Sequence, residues 1–401
     1  MHHTNFIVRE PLLDPAQRVI GYELSWQHHD GKPAGGAHLE ALLAFVAEHV
    51  QHPEHGWLLR DKVLFLDAVP EMLSTDALHA LPPERTVLTL HIRTFTDPAV
   101  RTAVQAVRVG GVGVSIRGAD PKLLGRNLSP YASYLEVQFA SQDVAAQARS
   151  YAAARHAAVR MVGRPVASWA DFDACAALGL DAFVGKLHLT PRPGNPVKGM
   201  NASQQVILQL MQMVQNNEDV PRLENVLKRD PALIYKLLRY INSAGFGAAR
   251  EVQSLRQAIA LMGYAPLYRW LVLLLATASQ SGYSPVLMET AVVRARLAEL
   301  LAAQRLRGEG EQVFVAGMFS LLDRLLGLPM KEVLDTVPLP VEVVKALLGR
   351  EGRYGPYLAL AEACELNSRL VASLAESLGI SPLELNMAHL SALSWAQSVG
   401  V

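Results

Sequence analysis

The stretch "FIVREPLLDPAQRVIGYELSWQ", residues 6–27, contains two β-rich runs joined by a turn, and Glu23 lies on the second run. Six further β-rich runs follow before residue 190, in "KVLFLDAV", "TVLTLHI", "GVGVSI", "SYLEVQF", "AVRMVG" and "AFVGKL". Segments with apolar residues at helical spacing separate most of them, for example residues 36–50 and 168–179. Repeated βα units predict a mostly parallel sheet, and eight strands predict a closed (β/α)₈ barrel over residues 1–190.

The chain changes character after residue 190. Residues 191–200 carry three prolines and two glycines, which is typical of a linker. Strand patterns then vanish, and helix-start patterns recur at Asn201 with Gln204, Asp230 with Pro231, Ser254 with Gln257, and Ser381 with Glu384. We therefore predict an all-α domain of about ten helices over residues 201–401. The predicted fold class is α/β plus all-α.

Composition excludes several classes of protein. The 37 basic and 37 acidic residues give a formal net charge of zero, which argues against nucleic-acid binding. The longest apolar run, residues 270–278, is about half of the roughly 20 residues that span a bilayer, so no membrane partner is expected. Cys175 and Cys364 are the only cysteines, which cannot form a thiolate zinc site and fit a reducing, cytoplasmic location.

Residues 226–271, "VLKRDPALIYKLLRYINSAGFGAAREVQSLRQAIALMGYAPLYRWL", resemble the HDOD domain, the HD-related output domain of bacterial signalling proteins. Residues 314–327 continue the resemblance. The positions that stand at the family's spacing, mainly with structural roles, are Asp230, Pro231, Leu237, Asn242, Ser243, Phe246, Ser254, Ala258 and Gly263.

The N-terminal half resembles a degenerate EAL domain, the cyclic-di-GMP phosphodiesterase barrel. Residues 6–27 match that family's opening strand, turn and motif strand, and residues 166–185 match its closing helix and strand. An EAL domain followed by an HDOD domain is a known two-domain architecture. The resemblance implies hydrolysis with two divalent metals held by several carboxylates and an amide.

Residue by residue, the resemblance implies that this chemistry has been lost. Glu23 stands at the motif glutamate, Asp67 at an asparagine ligand and Glu136 at a lysine, so we treat these three as vestigial. Gln27 replaces the arginine that would hold a substrate phosphate. The segments "GVSIRG" (113–118) and "VGRPVAS" (162–168) lack the carboxylates that the family places there. We expect no catalytic residues, no metal and no cofactor.

The HD chemistry is missing as well, because HD hydrolases hold metal through several histidines and a His-Asp pair. After residue 188 the chain has only His389, and the His-Asp position reads Ser320-Leu321. Asp323 alone cannot hold a metal. A separate cluster, His49, His52 and His55, suggests a zinc site, but Pro53 breaks the helix that would align the three.

We therefore predict a catalytically inactive signalling protein that acts as a scaffold or output module through contacts with other signalling proteins. One alternative is a receptor that binds cyclic-di-GMP without cleaving it, with Arg9 or Arg117 replacing the lost arginine. Gln27 argues against this alternative, and an active phosphodiesterase is disfavoured further. Residues 343–365 form a candidate homodimer face, although burial within the domain would explain their apolar pattern equally well.

Overall fold

A computed structural model describes residues 5–27, 35–50, 61–119, 130–138, 158–189, 200–241, 254–277, 285–326, 328–337, 339–366 and 368–398, with isolated positions 146, 148, 149, 152 and 252. The N-terminal part is a closed barrel whose eight strands follow chain order. They are β1 (Phe6–Leu13), β2 (Val19–Gln27), β3 (Val63–Asp67), β4 (Thr86–His91), β5 (Gly113–Arg117), β6 (Tyr134–Gln138), β7 (Arg160–Arg164) and β8 (Ala182–Val184). All eight strands predicted from the sequence are present.

Strand β1 runs antiparallel to both of its neighbours, whereas the remaining strands pair in parallel. A tight turn joins β1 to β2, in which the Asp14 carboxylate accepts a hydrogen bond from the Arg18 amide at 2.9 Å. The other strands are followed by longer connections, and the helices of this half are α1 (Gly36–Val50), α2 (Asp76–His79), α3 (Pro98–Val109) and α4 (Trp169–Ala177). Among the described residues of the barrel half, no helix lies between β1 and β2.

The C-terminal part is all-helical in the described residues, as predicted. Its helices are α5 (Ala202–Gln215), α6 (Val220–Leu227), α7 (Pro231–Ile241), α8 (Leu255–Met262), α9 (Tyr264–Thr277), α10 (Pro285–Ala302), α11 (Gly310–Phe319), α12 (Leu322–Leu326), α13 (Met330–Thr336), α14 (Val341–Gly349), α15 (Gly355–Glu365), α16 (Val371–Ser377) and α17 (Pro382–Ser398). This exceeds the expected ten because short helices such as α12 and α16 leave little periodic pattern in the sequence.

The predicted helix ends have the expected geometry. Asn201 and Gln204 form a reciprocal capping box, with each side chain accepting from the other's amide at 2.8 Å. Ser254 accepts from the Gln257 amide at 3.2 Å, and Gly263 ends α8 with φ of 73°. The linker prediction, residues 191–200, lies outside the described residues apart from Met200, so the domain boundaries stay a prediction.

The helical part covers β1. Helices α15 and α17 pack against that strand. The Ile7 amide donates to Asn386 Oδ1 at 2.7 Å, and Asn386 Nδ2 donates to the Asn5 carbonyl at 2.9 Å. Both bonds are buried, so one side chain of α17 satisfies two backbone groups at the start of the barrel.

Replacing Asn386 by alanine is expected to lower the free energy of unfolding by about 1–3 kcal/mol, because it leaves the buried Ile7 amide and Asn5 carbonyl without partners. Urea unfolding followed by circular dichroism measures the loss. Gln105→Ala on the exposed face of α3 is the control, with an expected change within about 0.5 kcal/mol. Equal effects of the two substitutions would show that these hydrogen bonds do not stabilise the junction.

Among the described residues, no single helix is long and apolar enough to cross a membrane. One helix pair, α8 with α9, meets the criteria of length and composition jointly, but its two halves are bent by 109°.

Candidate functional site

The carboxyl-terminal ends of the parallel strands meet at one rim of the barrel, here called the mouth. Alternation along each strand directs every second side chain into the barrel. An apolar layer that includes Phe65, Tyr134 and Val162 fills the interior. Two residues further along the same strands stand Asp67, Glu136 and Arg164. The mouth is therefore polar, above an interior closed by packed side chains.

Arg117, the last residue of β5, is at the centre of this polar layer. Its Nε and Nη2 donate to the two carboxylate oxygens of Glu136 at 2.5 and 3.1 Å. Its Nη1 donates to Asp67 Oδ2 at 2.9 Å, and Nη2 lies 3.8 Å from Glu23 Oε1. One guanidinium thus contacts carboxylates from three other strands.

Arg164, the last residue of β7, engages the opposite side of the cluster. Its Nη2 donates to Glu23 Oε2 and lies 3.4 Å from Glu10 Oε2. Glu10 and Glu23 are direct partners in the β1–β2 register, which places both carboxylates beside the same guanidinium. Four carboxylates and two guanidiniums therefore form one ion cluster, consisting of Glu10, Glu23, Asp67, Arg117, Glu136 and Arg164.

Burial affects the pKa values of the charged groups in this cluster. Burial raises the pKa of Glu23 to about 7, with Arg164 opposing the shift and the carboxylates of Asp67 and Glu136 adding to it. Burial alone would lower the pKa of Arg117, but its bonds to Glu136 and Asp67 hold that pKa above its ordinary value. Glu23 therefore exchanges its proton near neutral pH while both arginines stay charged.

The raised pKa of Glu23 predicts a pH dependence of stability. The folded state holds the Glu23 proton more tightly than the unfolded state, so this contribution is complete below about pH 4.5 and is lost as the pH rises to about 7. Glu23→Gln cannot ionise. The unfolding free energy of the wild type relative to this variant should therefore fall by roughly 2–3 kcal/mol over that range. Urea unfolding at several pH values tests this, and a constant difference would contradict it.

The two-metal arrangement implied by the EAL resemblance does not fit this donor set. Each of the four carboxylates contacts a guanidinium, and a divalent cation among them would lie beside two fixed positive charges. Among the described residues, no three His, Cys, Asp or Glu side chains are grouped so as to hold a metal ion.

Two further residues considered from the sequence contact the helical part. Gln27 Nε2 donates to the Ser368 carbonyl, between α15 and α16, at 2.7 Å. Arg9 faces the helical part, where its Nη1 lies 2.9 Å from His389 Nε2. Of the candidate replacements for the lost arginine, only Arg117 lies in the mouth, and carboxylates already engage it.

In the helical part, an arginine from a neighbouring helix contacts the Ser320-Leu321 pair that stands at the His-Asp position. Arg294 of α10 donates to Ser320 Oγ at 2.8 Å, and it contacts Glu362 at 2.9 Å and Glu365 at 2.8 Å. Arg294 is only 4% exposed. Leu321 is buried as well. Ser320 therefore belongs to a buried hydrogen-bonded ion network formed by Arg294, Glu362 and Glu365.

The remaining predicted positions are mostly structural. Asp230 accepts from the Leu233 amide at 3.2 Å as the N-cap of α7, and Pro231 begins that helix. Asn242, Ser243 and Phe246 lie outside the described residues, as do His52 and His55. His49 Nδ1 lies 2.7 Å from the Phe45 carbonyl, one turn earlier in α1.

Sequence reasoning missed Glu10, Arg164 and Arg294. The position of Arg164 at the carboxyl end of a barrel strand was a usable signal. Glu10 could be found only once the turn fixed its pairing with Glu23. Arg294 gave no signal, because an arginine on an amphipathic helix is usually exposed.

Comparisons with known proteins agree with this architecture. Residues 200–330 match the family model of the HDOD domain. The Bacillus subtilis (strain 168) protein YuxH is 23% identical, with 98% of each chain covered. The cyclic di-GMP phosphodiesterase CdgJ of Vibrio cholerae is 25% identical over 90% of this chain and 85% of that protein.

A solved structure, the EAL domain of Mycobacterium smegmatis DcpA, is 16% identical and covers 45% of this chain and 90% of that domain, with a TM-score of 0.35. The barrel comes first in the chain and the HDOD match follows it. The fold class and the order expected from the sequence are confirmed: an eight-stranded closed barrel precedes a helical part, and residues 200–330 of the chain match the HDOD domain.

Proposed function

We propose that this protein is a non-enzymatic, cytoplasmic signalling protein that acts through contacts with other proteins, its barrel serving as a structural partner of the HDOD domain. The observation that carries the proposal is the position of Arg117, whose guanidinium contacts Glu23, Asp67 and Glu136 at once. Carboxylates held in this way are unavailable as metal ligands, and an arginine cannot act as the base for an attacking water.

Binding of cyclic-di-GMP without hydrolysis is the second candidate, because a relative covering 90% of this chain is named as a cyclic di-GMP phosphodiesterase. The charge balance of the mouth opposes it. Four carboxylates face two guanidiniums, so at least one net negative charge remains even when Glu23 is protonated. A ligand with two phosphate charges would be repelled, and the Gln27 side chain is uncharged and donates to the Ser368 carbonyl.

The HDOD domain is the better candidate for the contact surface, but the predicted homodimer face receives no support. Within residues 343–365, the apolar side chains of Val343, Tyr354, Tyr357 and Leu358 are buried inside the helical part. Their burial satisfies the apolar pattern without a second copy. Among the described residues of the helical part, the large apolar side chains that remain exposed are Tyr235, Leu261, Val341, Leu348, Leu366, Leu370 and Leu383.

Calorimetric titration of the full chain with cyclic-di-GMP, with and without Mg²⁺ or Mn²⁺, tests the proposal, while chromatography follows any linear product. We expect neither heat nor product. Saturable heat at micromolar concentrations without product would favour the receptor, and product that depends on the metal would overturn the non-enzymatic reading. Cyclic-di-AMP serves as the control ligand, since it carries the same phosphates with different bases.

A further inference from the structure

The hairpin of β1 and β2 faces two buried ion networks at once. Adjacent residues of a strand point to opposite sides, and here each side belongs to a different domain. On β1, Glu10 reaches Arg164 in the mouth, whereas Arg9 reaches His389 of α17. On β2, Glu23 also reaches Arg164, whereas the Tyr22 hydroxyl donates to the Glu289 carboxylate of α10.

On the helical side, the donor and acceptor of each hydrogen bond around His389 can be assigned. Arginine can only donate, so His389 Nε2 must accept from Arg9, and the proton of the ring then lies on Nδ1. That nitrogen is 3.2 Å from the Ile7 carbonyl, to which it donates. Lys62, just before β3, lies with its Nζ 3.5 Å from Glu289 Oε2. The Glu289 carboxylate, which accepts from Tyr22, therefore has a positively charged partner as well.

A second set of contacts joins the rim of the barrel to the helical part. Gln27 at the end of β2 donates to the Ser368 carbonyl at 2.7 Å, and Lys186, just after β8, donates to the Leu366 carbonyl. These carbonyls follow Glu365, which binds the buried Arg294. Leu366 and Ser368 are therefore bound to the barrel, and they follow directly after the helix that carries Glu365 of the core network.

We infer that the β1–β2 hairpin couples the ion cluster in the mouth to the docking of the HDOD domain, so that a change at Arg164 or Glu23 alters the packing of α17. The physical basis is that buried strands in a closely packed core shift as units rather than bend locally. Arg9 and Glu10 are adjacent in the chain, and so are Tyr22 and Glu23. In each pair one side chain contacts the helical part and the other contacts Arg164, so a backbone shift at either pair affects both sets of contacts. The inference holds whether or not the mouth binds a nucleotide.

Hydrogen exchange of the full chain, followed by mass spectrometry, tests the coupling. Arg164→Met removes the partner of Glu10 and Glu23. We expect exchange in peptides covering residues 5–13 and 382–398 to rise at least about fivefold, although the ion-pair partners of Arg164, Glu10 and Glu23, both lie on the hairpin. The matched control is Arg160→Met at the other end of β7, where the guanidinium donates to the Tyr134 hydroxyl at 3.1 Å. It should leave residues 382–398 unchanged.

Two further variants make the result decisive. Glu10→Gln perturbs the same cluster more mildly if Arg164→Met does not fold. Val104→Ala loosens the buried side of α3 without touching the hairpin, so it controls for general destabilisation. A rise confined to the barrel strands, or an equal rise at 382–398 in Val104→Ala, would overturn the inference. Because coupling is reciprocal, Asn386→Ala should in turn raise exchange in residues 160–164.

Discussion

Replacing Arg294 by methionine is expected to lower the free energy of unfolding by about 3–5 kcal/mol. Arg294 donates to both carboxylate oxygens of Glu365, at 3.0 and 2.8 Å, in the core of the helical part. Methionine fills similar space but leaves that carboxylate buried without its counter-ion. Arg350 still binds Glu362 at 2.7 Å, so Glu365 bears most of the loss. Chemical denaturation monitored by circular dichroism measures it.

The neighbouring arginine on the same helix provides the control. The Arg296 side chain is 28% exposed and contacts Glu299, which Arg269 also binds, so Arg296→Met should cost about 1 kcal/mol or less. The double variant Arg294→Met with Glu365→Leu also removes the Glu365 carboxylate and should recover most of the lost unfolding free energy. Equal losses at Arg294 and Arg296 would show that the buried network is not the main stabilising contact.

Replacing Arg117 by alanine is expected to cost about 3–5 kcal/mol at pH 8, because Glu136, which is 1% exposed, loses its bidentate partner. Without that guanidinium, the mouth carboxylates should have raised pKa values. The difference in unfolding free energy between the wild type and the variant should then be smallest at low pH and should grow as the pH rises through those pKa values. Thermal unfolding of the variant between pH 5 and 8 follows this change.

The response to divalent cations shows whether Arg117→Ala is destabilised by the loss of a counter-ion or only by the cavity that the substitution leaves. In Arg117→Ala, millimolar Mn²⁺ should raise the melting temperature, because carboxylate oxygens freed from the guanidinium can ligate a hard cation. The wild type should not respond. Arg160→Ala is the control, since that guanidinium is exposed and lies outside the ion cluster. A variant that is equally unstable at all pH values and insensitive to Mn²⁺ would contradict the counter-ion role.

The sequence by itself determined the order of the strands and the change of fold class. Alternating apolar runs mark each of the eight strands, and capping patterns such as Asn201 with Gln204 mark helix starts. These features are local, because strand periodicity and helix caps depend on residues only a few positions apart. The location of Glu23 on the second strand also followed from the sequence.

Only the tertiary structure decided what those carboxylates do. Arg117 and Asp67 are 50 residues apart, and Glu23 and Arg164 are 141 apart, so their contact depends on strand register and barrel closure. Register likewise turned Arg9 toward His389 and kept Glu10 inside the barrel. Side-chain convergence is a non-local property, because a shift of one residue in any strand would exchange its two faces, and which strands become neighbours is decided only when the barrel closes.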